Sequence, residues 1–412
     1  AALATAATVD PAIAPDKFQR IINEKYAADI MFLINRANIR AGQLKTNAMD
    51  ELRKEILETS GNASRELKEI NVNSYASPEG PEAWNTELAQ DREKNTVNYI
   101  EKQLKKDNIT EFGELTKHFT AEDWEGFKEL VSKSNIQDKD LILSVLSMYK
   151  DPEQREKEIR NLSNVFEVLA EEILPQLRYS RITASIDVIG KSDAEIQELF
   201  KTNPKALSID EILYCATLTD NDAERLKIYD TAARIYPNDY RTWNNLGVVQ
   251  YETGDYKAAQ ANFQKALSLN ANCAEAKMNM GLISVLDKDL TKANQYFGQA
   301  AGADGLNDAL GIYYLKMGDN ASAARAFGDS KTNNAALAQI LTKDYSKAKN
   351  TLAAISKPDA TTYYLMAVLG ARTNNESMVT SNLKKAVSLD PSMAKLAAED
   401  LEFANFNVSS IK

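Results

Sequence analysis

"RTWNNLGVVQYETGDYKAAQANFQKALSLNAN", residues 241–272, returns in altered form as "AEAKMNMGLISVLDKDLTKANQYFGQAAGAD", residues 274–304. Gly247 pairs with Gly281, Ala259 with Ala293, Phe263 with Phe297 and Ala266 with Ala300, each at a spacing of 34. A fixed period of this length marks stacked units, none of which can bury its apolar face alone. Small residues let two antiparallel helices approach closely, and the phenylalanine fills the gap between neighbouring hairpins. The spacing therefore predicts an all-α superhelix.

The pattern extends both ways. Ala232 and Pro237 close a first unit over about 206–239, and Gly311, Ala323 and Phe327 stand in phase at a shortened step of 30. Tyr345, Ala348 and Leu352 mark a shorter unit, while Ala386 and Pro391 close a full-length one. "SMAKLAAEDLEFANF" (392–406) then reads as the capping helix that an end repeat needs. Roughly six units result, two of them truncated. Trp243, Leu246, Gly247, Ala259, Phe263 and Ala266 resemble the tetratricopeptide repeat (TPR) family, with Gln250 where an aromatic is usual and Tyr251 next to it. That resemblance implies a binding scaffold whose concave groove is lined by the first helix of each pair. A clamp for a terminal carboxylate would need Lys, Arg and Asn on that face, where Asn244, Asn245, Lys277 and Asn279 fall. They are the candidate residues for a protein or peptide partner, which the sequence does not name.

Composition narrows the rest. The net charge of −10, with no basic stripe, excludes a nucleic-acid binder, since a phosphate backbone needs a basic surface. One histidine (His118) and two distant cysteines (Cys215, Cys273) leave almost no material for a zinc site or a Ser–His or Cys–His unit. The cysteines read as two small buried side chains, with a disulfide between them as the alternative, and His118 as a half-exposed strand residue. No phosphate-binding glycine loop or nucleophile elbow is present, and Glu122–Asp123 and Glu171–Glu172 read as solvated helix caps and faces. The expectation is a protein that is not an enzyme and takes no cofactor or metal. No window approaches 18 consecutive apolar residues, so no segment reads as a membrane span. Residues 1–24 read as a linker or extension, with any anchor or export signal expected in an upstream segment.

The N-terminal half changes period. "DIMFLIN" (29–35) is extended, and a helix follows with Met49, Leu52, Ile56 and Leu57 on its apolar face and Gly61 as a stop. Ile70, Val72 and Ser74 alternate as a strand, and a helix runs from about Ala83 to Lys105. "ELTKHFT" (114–120) reads as a third strand and "YSRITASIDVIG" (179–190) as another, through Ile182, Ala184, Ile186 and Val188. Helices on a small mixed sheet give an α+β sandwich. Between them, about 106–176 reads as an insertion with two charged helices, one opening at "AEDWEGFKELV" and one over "DPEQREKEIRNLSNVFEVLAEEILPQLR".

Gly80, Asn85, Leu88 and Arg92 fall without a gap on a strand–turn–helix signature. On these residues the stretch resembles the OmpA-like family, the periplasmic module that holds outer-membrane proteins to peptidoglycan. The resemblance implies a domain over 25–192 and a site at Ser77, Asn85 and Arg92 for the peptidoglycan stem peptide. Arg92 would grip a carboxylate and Asn85 orient the turn. The acidic residue that takes the stem peptide's ammonium aligns with Ser77, and Glu93 replaces a small residue, so binding is expected to be weak or lost. Glu79 lies two residues from Ser77 and would point to the other side if the strand continued. A local alternative pairs Arg92 with Glu79, Glu82 or Glu87 and leaves Asn85 as a helix cap. The combination with a repeat array at 193–405 and a tail at 406–412 resembles envelope proteins of Bacteroidetes. It implies a scaffold at the periplasmic face of the outer membrane, reaching a membrane only through a segment upstream of residue 1. A soluble adaptor with no small ligand is the remaining reading.

Overall fold

The chain folds as two units, which a computed structural model describes over residues 8–409 and 411. One comprises residues 19–192, and the other joins the residues up to 18 with those from 193 onward.

In the first unit the alternating apolar residues make the expected sheet. The order of elements is β1 (Ile21–Met31), α1 (Asn47–Leu57), β2 (Arg65–Tyr75), α2 (Glu82–Lys106) and β3 (Glu114–Thr120). The helices α3 (Trp124–Lys133), α4 (Lys139–Met148), α5 (Pro152–Arg160) and α6 (Ser163–Glu172) follow, and β4 (Tyr179–Ile189) closes the unit. The strands lie in the order β1-β4-β2-β3, with β4 antiparallel to both neighbours and β2 parallel to β3. Ile70, Val72, Ile182, Ala184 and Ile186 are fully buried on one face, packed against Leu52 and Ile56 of α1 and Val97, Ile100 and Leu104 of α2. Thr46 starts α1 by accepting a hydrogen bond from the Met49 amide. Leu57, expected on the apolar face of that helix, is exposed.

Three boundaries differ from the sequence reading. The first strand begins at Ile21, ten residues before "DIMFLIN" ends its extended run at Met31, so residues 21–24 of the linker expected over 1–24 belong to the sheet. Its residues 1–7 lie outside the described residues. The insertion begins after Thr120 rather than at 106, because α2 runs on to Lys106 and β3 belongs to the sheet. It contains four helices instead of two. α4 has no counterpart in the expected pair, and the expected long helix breaks after Arg160, where the Leu162 amide turns back to the Ile159 carbonyl. Phe127, Val131, Ile142, Leu146, Ile159 and Leu169 give the insertion an apolar core of its own.

In the second unit, α7 (Asp193–Thr202) precedes six helix pairs. These are α8 (Ile209–Ala216) with α9 (Asp222–Ile235), α10 (Tyr240–Glu252) with α11 (Tyr256–Leu269), and α12 (Ala274–Leu286) with α13 (Leu290–Phe297). They continue as α14 (Leu306–Met317) with α15 (Asn320–Phe327), α16 (Asn333–Leu341) with α17 (Tyr345–Ala353), and α18 (Ala360–Arg372) with α19 (Glu376–Leu389). α20 (Met393–Glu399) ends the series, and Ile411 of the expected tail is buried against the last pair. The repeat glycines act as the spacing predicts. A Cβ on Gly247 would stand 2.7 Å from the Phe263 ring, and on Gly281 2.4 Å from the Phe297 ring. Cys215 and Cys273 are buried and free.

Candidate functional site

The first helices of the repeat pairs carry a row of buried polar side chains, which is costly unless each is hydrogen-bonded. Asn244, Asn245 and Asn279 are all essentially inaccessible to solvent. Their partner is a segment of the same unit, Thr8–Phe18, which from Asp10 onward belongs to no helix or strand. Asn279 accepts from the Ala12 amide through Oδ1 at 2.7 Å and donates through Nδ2 to the Ala12 carbonyl at 2.9 Å. Asn245 does the same to Ala14, at 2.8 and 3.0 Å. Asn244 joins the two clamps, donating to the Ala12 carbonyl and to Asn245 Oδ1 while accepting from Asn279 Nδ2. An asparagine amide offers one donor and one acceptor side by side, which matches the N–H and C=O of one extended residue. At Ala12 and Ala14 the recognition is therefore of backbone, not of side-chain functional groups.

Asn245 and Asn279 are 34 residues apart, the repeat step, so successive repeats grip alternate residues of the segment. Asn334 extends the row, donating to Thr8 Oγ1 at 2.9 Å. At the other end Asp210 accepts from the Lys17 amide at 2.9 Å and from Arg241 at 2.6 Å, and Phe18 stacks on Tyr214 with ring centroids 4.2 Å apart. The segment thus runs antiparallel to the order of the repeats. Val9, Ala12 and Ala14 are buried, and Val9 and Ala12 join the main apolar core of the array. Burial by itself would raise the Asp210 pKa, but the Lys17 amide and the Arg241 guanidinium outweigh it and hold the carboxyl below its ordinary 3.8. Arg241 is raised, first by its hydrogen bonds to Asp239. Lys277, the fourth residue expected in the groove, instead lies over the Tyr296 ring at 5.8 Å. Asn334, Arg241, Asp210 and Tyr214 were not anticipated. For Asn334 a signal existed, an asparagine early in the first helix of a repeat, as at Asn245 and Asn279.

The second candidate is the loop after β2. Ser77 is buried and donates to Glu79 Oε1 at 2.8 Å, so the two side chains meet rather than diverge, because the strand ends at Tyr75. Glu79 also accepts from Arg178 at 2.7 Å, and the Gly80 amide donates to Glu156 of α5 at 2.7 Å. Asn85 donates to the Glu79 carbonyl and to Glu122. Arg92 is not the open cation that the resemblance implies. It is fully buried, and it donates to the carbonyls of Arg36 and Tyr75 at 2.9 Å and of Leu33 at 3.2 Å. Burial first, and then the Arg178 charge, push its pKa down to about 10, against an opposite pull from Glu79. It stays protonated at neutral pH, with its charge directed at backbone. The ion pairs considered for it with Glu79, Glu82 or Glu87 give way to these carbonyl bonds. Over the loop, Trp124, Phe127, Ile159, Phe166 and Leu169 of the insertion leave a cavity of about 10 Å³, at the lower limit for one water.

Residues 240–273 match the tetratricopeptide repeat family. That match covers α10 and α11, one of the helix pairs of the array. Cellulose synthase 1 operon protein C of Komagataeibacter xylinus is 30% identical over 112 residues, 27% of this chain and 8% of that protein. Type IV pilus assembly protein PilF of Pseudomonas aeruginosa is 28% identical over 97 residues, 23% of this chain and 38% of that protein. The chain thus spans well under half the length of either curated relative. A solved TPR protein from Parabacteroides merdae aligns with 48% of this chain and 85% of its own, at 16% identity and a TM-score of 0.38. Among the described residues, no helix is long and apolar enough to cross a membrane and no cluster of three or more metal-ligating side chains occurs.

Proposed function

We propose that the protein is a non-enzymatic scaffold of the cell envelope, in which the TPR array binds a partner protein and the sheet unit positions it at the periplasmic face of the outer membrane. The observation that carries the binding half is the asparagine row, which holds an extended chain by its backbone. The positioning half rests on the resemblance of residues 71–100 to OmpA-like modules. In this reading peptidoglycan binding by Ser77, Asn85 and Arg92 is weak or lost, since Arg92 is committed to three carbonyls and the loop is covered.

Fractionation of cells carrying the complete gene tests it. The protein is expected with the outer-membrane fraction, and not in the pellet of purified, detergent-washed peptidoglycan sacculi. Sedimentation with sacculi would favour instead a true wall anchor using Arg92 and Asn85. Recovery in the cytosol alone would leave the soluble adaptor.

A further inference from the structure

The segment in the groove shows what kind of ligand the groove is shaped to take. Asn244, Asn245 and Asn279 bond only the backbone of the segment, and the side chains of Ala12 and Ala14 are enclosed, at 3% and 1% exposure. Val9 and Pro11 are also enclosed, whereas Asp10, Pro15 and Lys17 face solvent. Four residues beyond Ala14, Phe18 lies on Tyr214. The resulting specification is an extended strand, antiparallel to the repeats, with small residues at two alternate positions, an apolar residue and a proline before them, and an aromatic after them. An extended strand of this kind carries all its affinity in contacts that another strand of the same pattern reproduces.

We infer that the row Asn244, Asn245 and Asn279 is a receptor site for an extended small-x-small segment of another protein, and that residues 8–18 are an internal ligand occupying it. This rests on the scaffold reading and gives its partner a chemistry. A second copy of this chain is disfavoured as the occupant. Its segment is identical to one already tethered within the same molecule, where effective concentrations reach the millimolar range. A partner must therefore bind more tightly than "TVDPAIAPDKF" or meet a groove from which the segment has been released.

The test uses the full chain and a fluorescently labelled peptide of residues 8–18. In the Ala12→Asp/Ala14→Asp variant the internal segment no longer fits, and the peptide is expected to bind at least tenfold more tightly than to the unmodified chain, by anisotropy. Adding Asn245→Ala and Asn279→Ala should remove that gain, as should Ala12→Asp in the peptide. A second form avoids any folding defect: a protease site inserted between Gln19 and Arg20 is cut after the chain has folded. The labelled peptide should then exchange into the cut chain and not into the uncut one. Failure of the peptide to bind the cut chain would overturn the inference. So would a concentration-dependent dimer of the unmodified chain by light scattering, abolished by Ala12→Asp/Ala14→Asp, because a second copy would then be the occupant. Neither result touches the fractionation experiment, so the two readings fail separately.

Discussion

In the repeat unit an extended segment lies in the groove, held by paired bonds from Asn245 and Asn279 and by a stacked Phe18. In the sheet unit the loop after β2 lies against α3, α5 and α6 of an insertion with its own apolar core, pinned by Glu79–Arg178 and by Glu156. Both candidate sites are filled from within the chain, but the fillings differ in kind. The first is a strand without internal structure, whose bonds another strand can copy. The second is a folded insertion, whose own core holds the buried Phe127 and Leu169. A groove filled by a strand remains a binding site, whereas a loop covered by a folded core has become part of the interior.

The largest expected effect lies on the covered side. Arg92→Met leaves three buried carbonyls without their donor, and the sheet unit should lose about 3–5 kcal/mol in denaturant unfolding. A loss below about 1 kcal/mol would return Arg92 to the list of free ligand groups. Within the array, Gly281→Leu drives a side chain into the Phe297 ring and should cost roughly 1–3 kcal/mol or more, read as a lower melting temperature of the repeat unit. An unchanged melt would contradict tight helix pairing there.

How much of this could be read beforehand depends on what carried the information. The repeat glycines, alanines and phenylalanines are legible because packing at a fixed period writes itself into residue size. Asn244, Asn245 and Asn279 were legible as residues of the groove's first helices. Their ligand was not, since "TVDPAIAPDKF" has no periodicity and is recognised by backbone, so it reads as a linker. Arg92 fell on a signature by spacing, but its burial depends on the 33–36 turn folding over it, a tertiary event with no local mark. The pairing of Ser77 with Glu79 was misjudged by extending β2 beyond Tyr75.

Smaller effects sharpen the groove side. Asn279→Ala should free the Ala12 amide and Asn244 Oδ1, while the Ala12 carbonyl keeps its bond from Asn244, at a cost of about 1–3 kcal/mol, with faster exchange at Ala12. The smallest effect is one of pH. Because the Asp210 pKa is depressed in the folded chain, its hold on the Lys17 amide and Arg241 is present above about pH 3.8 and lost as pH falls below that value. Protection of the Lys17 amide, relative to the unfolded chain at the same pH, should therefore fall as the acid range below pH 3.8 is entered, while that of Ala12 and Ala14, held by neutral asparagines, is unchanged.

Residue-resolved amide hydrogen exchange on the unmodified chain at neutral pH tests the central claim most directly. The Ala12 and Ala14 amides, bound to Asn279 and Asn245, are expected to exchange slowly, with Ile13 between them faster. Exchange of all three at the rate of the free peptide would contradict an occupied groove.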